Sequence, residues 1–226
     1  MGRTTSFSRK RFWYTTEREL ALLVSILFHP VMLPTLFFVF ATVMTPAILS
    51  PFSNSSLQLR FILLIFITTM IIPVVMLCMH FLLSKRKISL DMLSLQNTKD
   101  RVYPFLHTGI FYAGITYIFY ANLHLNTFIC SFMGMVALAV LLSSGISIFY
   151  KISAHTLALS ALTGYVFLLH FFLPDVDLLI SGCVVLFITG LTASCRLFLN
   201  AHTLGQVFAG FIIGLLCTAS CIVWFY

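Results

Sequence analysis

The chain has 226 residues, of which 60% are hydrophobic and only 8% are charged. Because an ordinary soluble domain carries about 25% charged residues, this composition predicts an integral membrane protein and excludes an ordinary soluble domain. The net charge of +7 needs no nucleic acid partner, since basic residues beside anionic membrane lipids explain it.

Seven apolar stretches are long enough to cross a bilayer, whose core needs about 20 residues of helix. They lie near 21–47, 58–84, 104–121, 127–149, 155–173, 177–194 and 203–225. The stretches are too uniformly apolar for the alternating strands of a barrel, so helices are predicted. The sequence therefore predicts an all-α, polytopic membrane helical bundle of about seven transmembrane helices. Residues 1–226 form a single integral membrane domain in this interpretation.

Prolines interrupt the first two stretches. Three of them, Pro30, Pro34 and Pro46, fall in the first stretch, and Pro73 falls in the second. A proline removes a backbone donor and pushes on the preceding turn of a helix. We expect these four prolines to bend the two helices rather than to end them.

Lysine and arginine fall mainly on one side of the predicted bundle. The basic tail over 1–20 and the connection after the second stretch hold most of them, Lys151 and Arg196 fall on the same side, and Arg60 lies opposite. Cytoplasmic loops of membrane proteins carry an excess of basic residues. The chain is therefore predicted to be a multi-pass cell membrane protein with a cytoplasmic N-terminus.

Ionisable and polar residues are grouped at the ends of the third, fifth, sixth and seventh stretches. The run Lys151-Ile152-Ser153-Ala154-His155 opens the fifth stretch, Arg196, His202 and Gln206 flank the connection before the seventh, and Lys99 and Arg101 precede the third. Such side chains cost free energy at a membrane unless they have a role. Because all of them are predicted on the cytoplasmic side, they indicate one site there.

These residues resemble the boxes of the type 2 phosphatidic acid phosphatase (PAP2) superfamily. Ser153-Ala154-His155 is similar to the Ser-Gly-His box, and Arg196-x5-His202-x3-Gln206 is similar to the last box, Arg-x5-His-x3-Asp. The nearest equivalent of the first box, Lys-x6-Arg-Pro, is the run from Lys99 to Pro104. The resemblance covers residues 97–214, which form a PAP2-like core, and places a glutamine where the family has its last aspartate.

The resemblance implies hydrolysis of a phosphomonoester or diphosphate of a lipid through a phosphohistidine, without a metal or other cofactor. In this scheme His202 attacks phosphorus and His155 protonates the departing oxygen. The residues that would bind the phosphorylated lipid are Arg101, Arg196, Lys151, Lys99 and Ser153. Cations that stabilise the equatorial oxygens suit phosphoryl transfer, and histidine exchanges protons near neutral pH.

Gln206 is the third residue assigned to catalysis. It lies one helical turn after His202, so its amide oxygen can accept a hydrogen bond from the imidazole. An amide cannot offset the positive charge of a phosphohistidine, and its nitrogen can instead turn towards the ring. In a serine-protease triad, replacing the orienting carboxylate by an amide costs about four orders of magnitude in turnover. The alternative function is therefore a catalytically impaired PAP2 relative that binds anionic lipid or acts as a scaffold, and a transporter ranks last.

The remaining histidines and two glycines have plainer predictions. His29 is predicted to be structural or interfacial. His107 follows Arg101 at the same interval as His202 follows Arg196, which is interpreted as a coincidence, with a secondary substrate contact as the alternative. The pair Gly210-x3-Gly214 lets another helix approach closely. That helix belongs either to the same bundle or to a homodimer.

Overall fold

The computed structural model describes residues 4–52, 54–83 and 98–224. Side chains are described from Thr16 onward within these ranges, except those of residues 47, 83, 98, 99 and 224. Within these ranges the regular secondary structure is entirely helical and contains no strand. The predicted all-α class is therefore confirmed for the part of the chain that the structure describes.

The described residues form helices α1 to α9. In chain order they are α1 (Thr4–Leu27), α2 (Leu33–Met44), α3 (Ser55–Phe66), α4 (Ile72–Leu83), α5 (Thr98–Tyr117), α6 (Thr127–Ser147), α7 (Ala154–Phe172), α8 (Leu179–Phe198) and α9 (Leu204–Cys221). A π-helical turn over Ile67–Ile71 joins α3 to α4, and a second one, Ile118–Asn122, extends α5. Helix α5 packs on α6, and α7 packs on both α8 and α9.

Five helices within the described ranges are long and apolar enough to cross a membrane. They are Ser55–Leu82, Thr127–Ser147, Ala154–Phe172, Leu179–Phe198 and Leu204–Cys221. Helix α2 is apolar but has only 12 residues. At about 1.5 Å per residue it is roughly 18 Å long, shorter than a bilayer core of about 30 Å. The fold is thus a membrane-type helical bundle.

The first apolar stretch, 21–47, is not one helix as predicted. Helix α1 ends at Leu27, and residues 28–32 form a break before α2. The break contains Pro30, which has no backbone N–H to donate to a preceding helical turn. Pro46 likewise follows the end of α2 at Met44. The prediction that these two prolines bend a continuous helix is therefore wrong, because the helix ends before each of them.

The other two prolines lie inside helices. Pro34 occupies the first turn of α2, where a missing N–H leaves no helical bond unmade. Pro73 lies next to the π-helical turn Ile67–Ile71 within the continuous helix Ser55–Leu82. A π-helical turn changes the local bonding pattern, so the helix accommodates the proline without ending.

Helix α9 packs against α7 through its two glycines. A Cβ atom on Gly210 would lie 2.7 Å from the carbonyl oxygen of Ser153, and one on Gly214 would overlap Leu157 and Ser160. The close approach predicted for this pair is therefore made within the bundle. It brings the start of α9 next to the start of α7.

Aromatic side chains fill the core where α2, α6 and α7 meet. The ring of Phe132 stacks on Phe37 at 4.0 Å between centroids and meets Tyr165 edge to face at 5.1 Å. The Tyr165 hydroxyl donates to the Phe128 carbonyl oxygen at 2.6 Å. This packing anchors the middle of the bundle.

Candidate functional site

A single cavity of about 440 Å³ gathers basic side chains from distant parts of the chain. The basic residues that line it are His29, Arg101, His155, Arg196 and His202. Arg101, His155 and His202 are 7%, 9% and 8% exposed, so all three are largely removed from solvent. Four of the five belong to the residues that the sequence assigned to a site, and the fold brings these four together.

His202 and Gln206 form a hydrogen-bonded pair at the start of α9. The ring Nδ1 lies 3.0 Å from the amide Oε1 of Gln206, and the backbone N–H of Thr203 donates to the same oxygen at 3.3 Å. Thr203 and Gln206 together form a capping box, which satisfies backbone N–H groups at the start of α9.

The capping box determines which tautomer His202 adopts. Because the Thr203 N–H can only donate, the atom of Gln206 that faces it must be the oxygen. The same oxygen faces Nδ1 of His202, so Nδ1 carries the proton and donates it. Nε2 then keeps a free lone pair, the form that a nucleophilic imidazole needs. The unfavourable orientation, in which the amide nitrogen of Gln206 turns towards the ring, is therefore not the one adopted.

His155 lies in the first turn of α7 and is tied to α1. Its Nε2 lies 3.0 Å from the carbonyl oxygen of Ser25, so Nε2 must carry a proton. The ring also meets the ring of His29 edge to face, with 5.2 Å between centroids. Two contacts from the N-terminal segment therefore position this imidazole.

The two arginines approach the cavity from different helices. Arg101 on α5 donates from Nη1 to the carbonyl oxygen of Ile152 at 3.2 Å. Arg196, in the last turn of α8, has a buried Nε with no hydrogen-bond partner among the described residues. A buried donor without an acceptor costs about 1–3 kcal/mol. The Nε–H of Arg196 is thus a donor for an acceptor that enters the cavity.

Positive charge accumulates around His202. Burial, together with the charges of Arg101 and Arg196, lowers the pKa of Lys151. Burial, together with the charges of Arg196, Arg101 and Lys151, lowers the pKa of His202 to about 4, although its hydrogen bond to Gln206 acts in the opposite direction. His202 is therefore neutral near pH 7, in an environment that favours an anion.

Ser153 and Lys99 were also predicted to bind substrate, but the structure does not show either side chain lining the cavity. The Ser153 hydroxyl caps α7, accepting from the backbone N–H of Thr156 at 3.4 Å and from its hydroxyl at 2.8 Å. Ser153 is fully buried and is not among the described residues that line the cavity. Lys99 lies in the first turn of α5, but its side chain is outside the described residues.

His29 is the cavity residue that the sequence did not single out. It was predicted to be structural or interfacial because it is an isolated histidine in an apolar run. The break over residues 28–32 places it beside His155 and in the cavity lining. The adjacent Pro30 was the available signal, since it ends the helical pattern next to an ionisable side chain.

No protein-family model, curated protein or solved structure matches this chain. Among the described residues, no group of three His, Cys, Asp or Glu side chains is placed to hold a metal ion. The chemistry of the cavity is therefore inferred from its own side chains.

Proposed function

We propose that this protein is a membrane lipid phosphatase that hydrolyses a phosphomonoester or diphosphate of a lipid through a phosphohistidine. The observation that carries the proposal is the convergence of Arg101, Arg196, His155 and His202 on one cavity of an apolar bundle. None of the described residues that line this cavity is acidic. The buried Nε of Arg196, which has no hydrogen-bond partner among the described residues, calls for an acceptor, and an anion in this basic cavity would supply one.

The arginines would hold the phosphoryl oxygens. Arginine presents a planar fork of donors that matches phosphate geometry. The bond from Arg101 to Ile152 restrains its guanidinium, and the buried Nε of Arg196 supplies a donor that needs an acceptor. Lys151 adds charge beside both arginines. Fixed cations of this kind stabilise the charge on the transferred group.

His202 would be the nucleophile. Its Nε2 lone pair attacks phosphorus, an N–P bond forms, and the P–O bond to the lipid breaks. The departing oxygen takes a proton and leaves as the lipid alcohol, or as a phosphate ester if the substrate is a diphosphate. Water then attacks phosphorus, the N–P bond breaks, and inorganic phosphate leaves with His202 restored. Throughout these steps Nδ1–H of His202 donates its hydrogen bond to Gln206 Oε1, which holds the ring in place.

His155 would supply the proton to the departing oxygen. Because its Nε2–H is donated to the Ser25 carbonyl, the transferred proton has to come from Nδ1 of a doubly protonated ring. A phosphate in the cavity favours that charged form, since an anion stabilises a nearby cation. Substrate binding would therefore favour the doubly protonated form of His155, which acts as the general acid.

A catalytically impaired lipid-binding protein or scaffold is the second candidate function. The observation that favours it is the neutral amide of Gln206, which cannot balance the charge of a phosphohistidine. The same cavity would then retain a phosphorylated lipid without turnover.

Phosphate release from the purified full-length protein tests the proposal. Phosphatidate, phosphatidylglycerol phosphate and a polyprenyl diphosphate are offered in detergent without added metal. We compare the unmodified protein with His202→Ala and Gln206→Asp, and with His107→Ala as a matched control. His107 is exposed on α5 and is not among the described residues that line the cavity.

We expect release by the unmodified protein and by His107→Ala, loss of release in His202→Ala, and a gain in Gln206→Asp. Acid-labile phosphate on the protein, absent from His202→Ala, would identify the intermediate. Equal background release by all four proteins would overturn the phosphatase proposal, and retained lipid binding would then favour the second candidate function.

A further inference from the structure

The cavity continues from the basic side chains deep into the bundle. Its lining extends along α5 from Arg101 to Tyr112 and along α6 from Ser143 to Phe132. At about 1.5 Å per residue, both runs are roughly 16 Å long. The basic residues therefore stand at one end of a slot that extends towards the middle of the bundle.

Apolar side chains form most of the slot below the basic end. They include Leu77, Phe105, Val136, Ala139, Ala158 and Leu162. Cavities with such walls stay dry and accept apolar ligands. The volume of about 440 Å³ falls within the range of about 300–1,000 Å³ that is usual for sites of organic ligands.

Tyr112 and Phe132 form the floor of the slot and are held firmly. The Tyr112 hydroxyl donates at 2.6 Å to the carbonyl oxygen of Thr69, which lies in the π-helical turn Ile67–Ile71. Phe132 stacks on Phe37. A floor anchored by a hydrogen bond and by ring stacking does not yield easily to a longer ligand.

The slot has a side that faces outward. Of its lining residues, His29 in the break between α1 and α2 and Val74 on α4 are exposed, and Leu77 on α4 is half-buried. Val74 is 46% exposed. A chain lying in the bilayer would therefore enter sideways, between the break and α4.

We propose that this slot binds one hydrocarbon chain of the phosphorylated lipid and that Tyr112 and Phe132 limit the length of that chain. Cations at one end and apolar walls along the remainder match a ligand with an anionic head and a hydrocarbon tail. Free inorganic phosphate would use only the basic end. The inference rests on the proposed function for the headgroup, and on the depth and walls of the slot for the chain.

Binding of non-hydrolysable alkyl phosphonates to the full-length protein tests the chain site. Methylphosphonate probes the basic end alone, and dodecylphosphonate probes both parts. Ala139→Phe places a ring inside the slot, and Ala113→Phe places the same ring at an exposed position on α5 outside it. The two variants are therefore a matched pair.

We expect Ala139→Phe to weaken the binding of dodecylphosphonate by about tenfold or more, because the new ring and the hydrocarbon chain would overpack the same space. The binding of methylphosphonate should stay unchanged. Ala113→Phe should alter neither. Equal weakening of both probes, or none of either, by Ala139→Phe would overturn the chain site. Failure of the unmodified protein to bind methylphosphonate would instead overturn the headgroup site of the proposed function.

A photoreactive probe gives a second readout that needs no variant. An alkyl phosphonate with a diazirine at the end of its chain is irradiated with the unmodified protein, and the labelled residues are identified by mass spectrometry. We expect labelling at Tyr112 and Phe132. Labelling confined to exposed residues such as Ile110 and Tyr117 would show that the chain stays outside the slot.

Discussion

The backbone N–H of Ser153 donates a hydrogen bond to the carbonyl oxygen of Gln206 at 3.1 Å. This bond joins the residue that caps α7 to a residue in the first turn of α9. His155 follows Ser153 by two residues, and His202 precedes Gln206 by four. This backbone hydrogen bond between neighbouring helices therefore fixes the position of one imidazole relative to the other. A change that separates the starts of α7 and α9 should displace both rings.

Gly210→Ala should separate the two helix starts. The new Cβ would lie 2.7 Å from the Ser153 carbonyl oxygen, a backbone atom that cannot move aside cheaply. We expect a loss of about 1–3 kcal/mol in stability and weaker phosphonate binding. Thermal unfolding in detergent and a binding titration measure the two effects.

Gly190→Ala on α8 is the matched control, because a Cβ there meets nothing within 4 Å. It should be neutral or stabilising by up to about 1 kcal/mol, since alanine favours helix over glycine. If both glycine variants behaved alike, the close packing of α9 on α7 would not be what positions the histidines.

Gln206→Glu should raise the pKa of His202 from about 4. A carboxylate stabilises the protonated ring, whereas the present amide is neutral. The side chain keeps its length, so the capping box with Thr203 is retained. The titration of the His202 ring followed by nitrogen NMR measures the shift.

Gln206→Leu is the comparison for that experiment. It removes the acceptor of both His202 and Thr203, so we expect a loss of about 1 kcal/mol from the helix cap as well as reduced phosphate binding. An unchanged ring titration in Gln206→Glu would contradict direct coupling between the two side chains.

Sulfate should bind more tightly as the pH falls from about 7 to about 5, by at most about tenfold per pH unit for one proton. The pKa of His202 is held low by burial, Arg196, Arg101 and Lys151, and a bound anion raises it. The complex then binds more protons than the free protein, so affinity rises on acidification and falls as the pH rises again. Sulfate remains a dianion in this range and contributes no proton of its own.

Isothermal titration in buffers of different ionisation enthalpy measures the proton uptake. His202→Asn should reduce the pH dependence of the sulfate affinity. The dependence that remains would come from His29 and His155, the other histidines that line the cavity. An affinity independent of pH in the unmodified protein would exclude a linked histidine.

Lys151→Cys should be protected from a membrane-impermeant thiol reagent in intact cells, because basic residues favour the cytoplasmic side. Asp175→Cys should react, since residue 175 lies in the connection at the other end of α7. The unmodified protein measures the background from native cysteines such as the exposed Cys183. The reverse pattern would place the basic end of the bundle outside the cytoplasm.

Parts of the site were predictable because they are local. His202 and Gln206 lie four residues apart at a helix start, so their contact follows from helical geometry. The orientation of the amide could also have been predicted, since Thr203 and Gln206 have the spacing of a capping box. The contact of His155 with Ser25 was not predictable in this way, because it joins residues 130 positions apart.

Composition and hydropathy alone determined that the chain forms apolar helices, because a lipid environment leaves the backbone to satisfy its own hydrogen bonds. Only the tertiary structure decided that α1 ends before Pro30, that His29 meets His155, and that the basic residues stand at one end of a deep slot. The physical reason is that a cavity forms between surfaces brought together by packing. The distance between two helices depends on how they pack and cannot be predicted from either stretch of sequence alone.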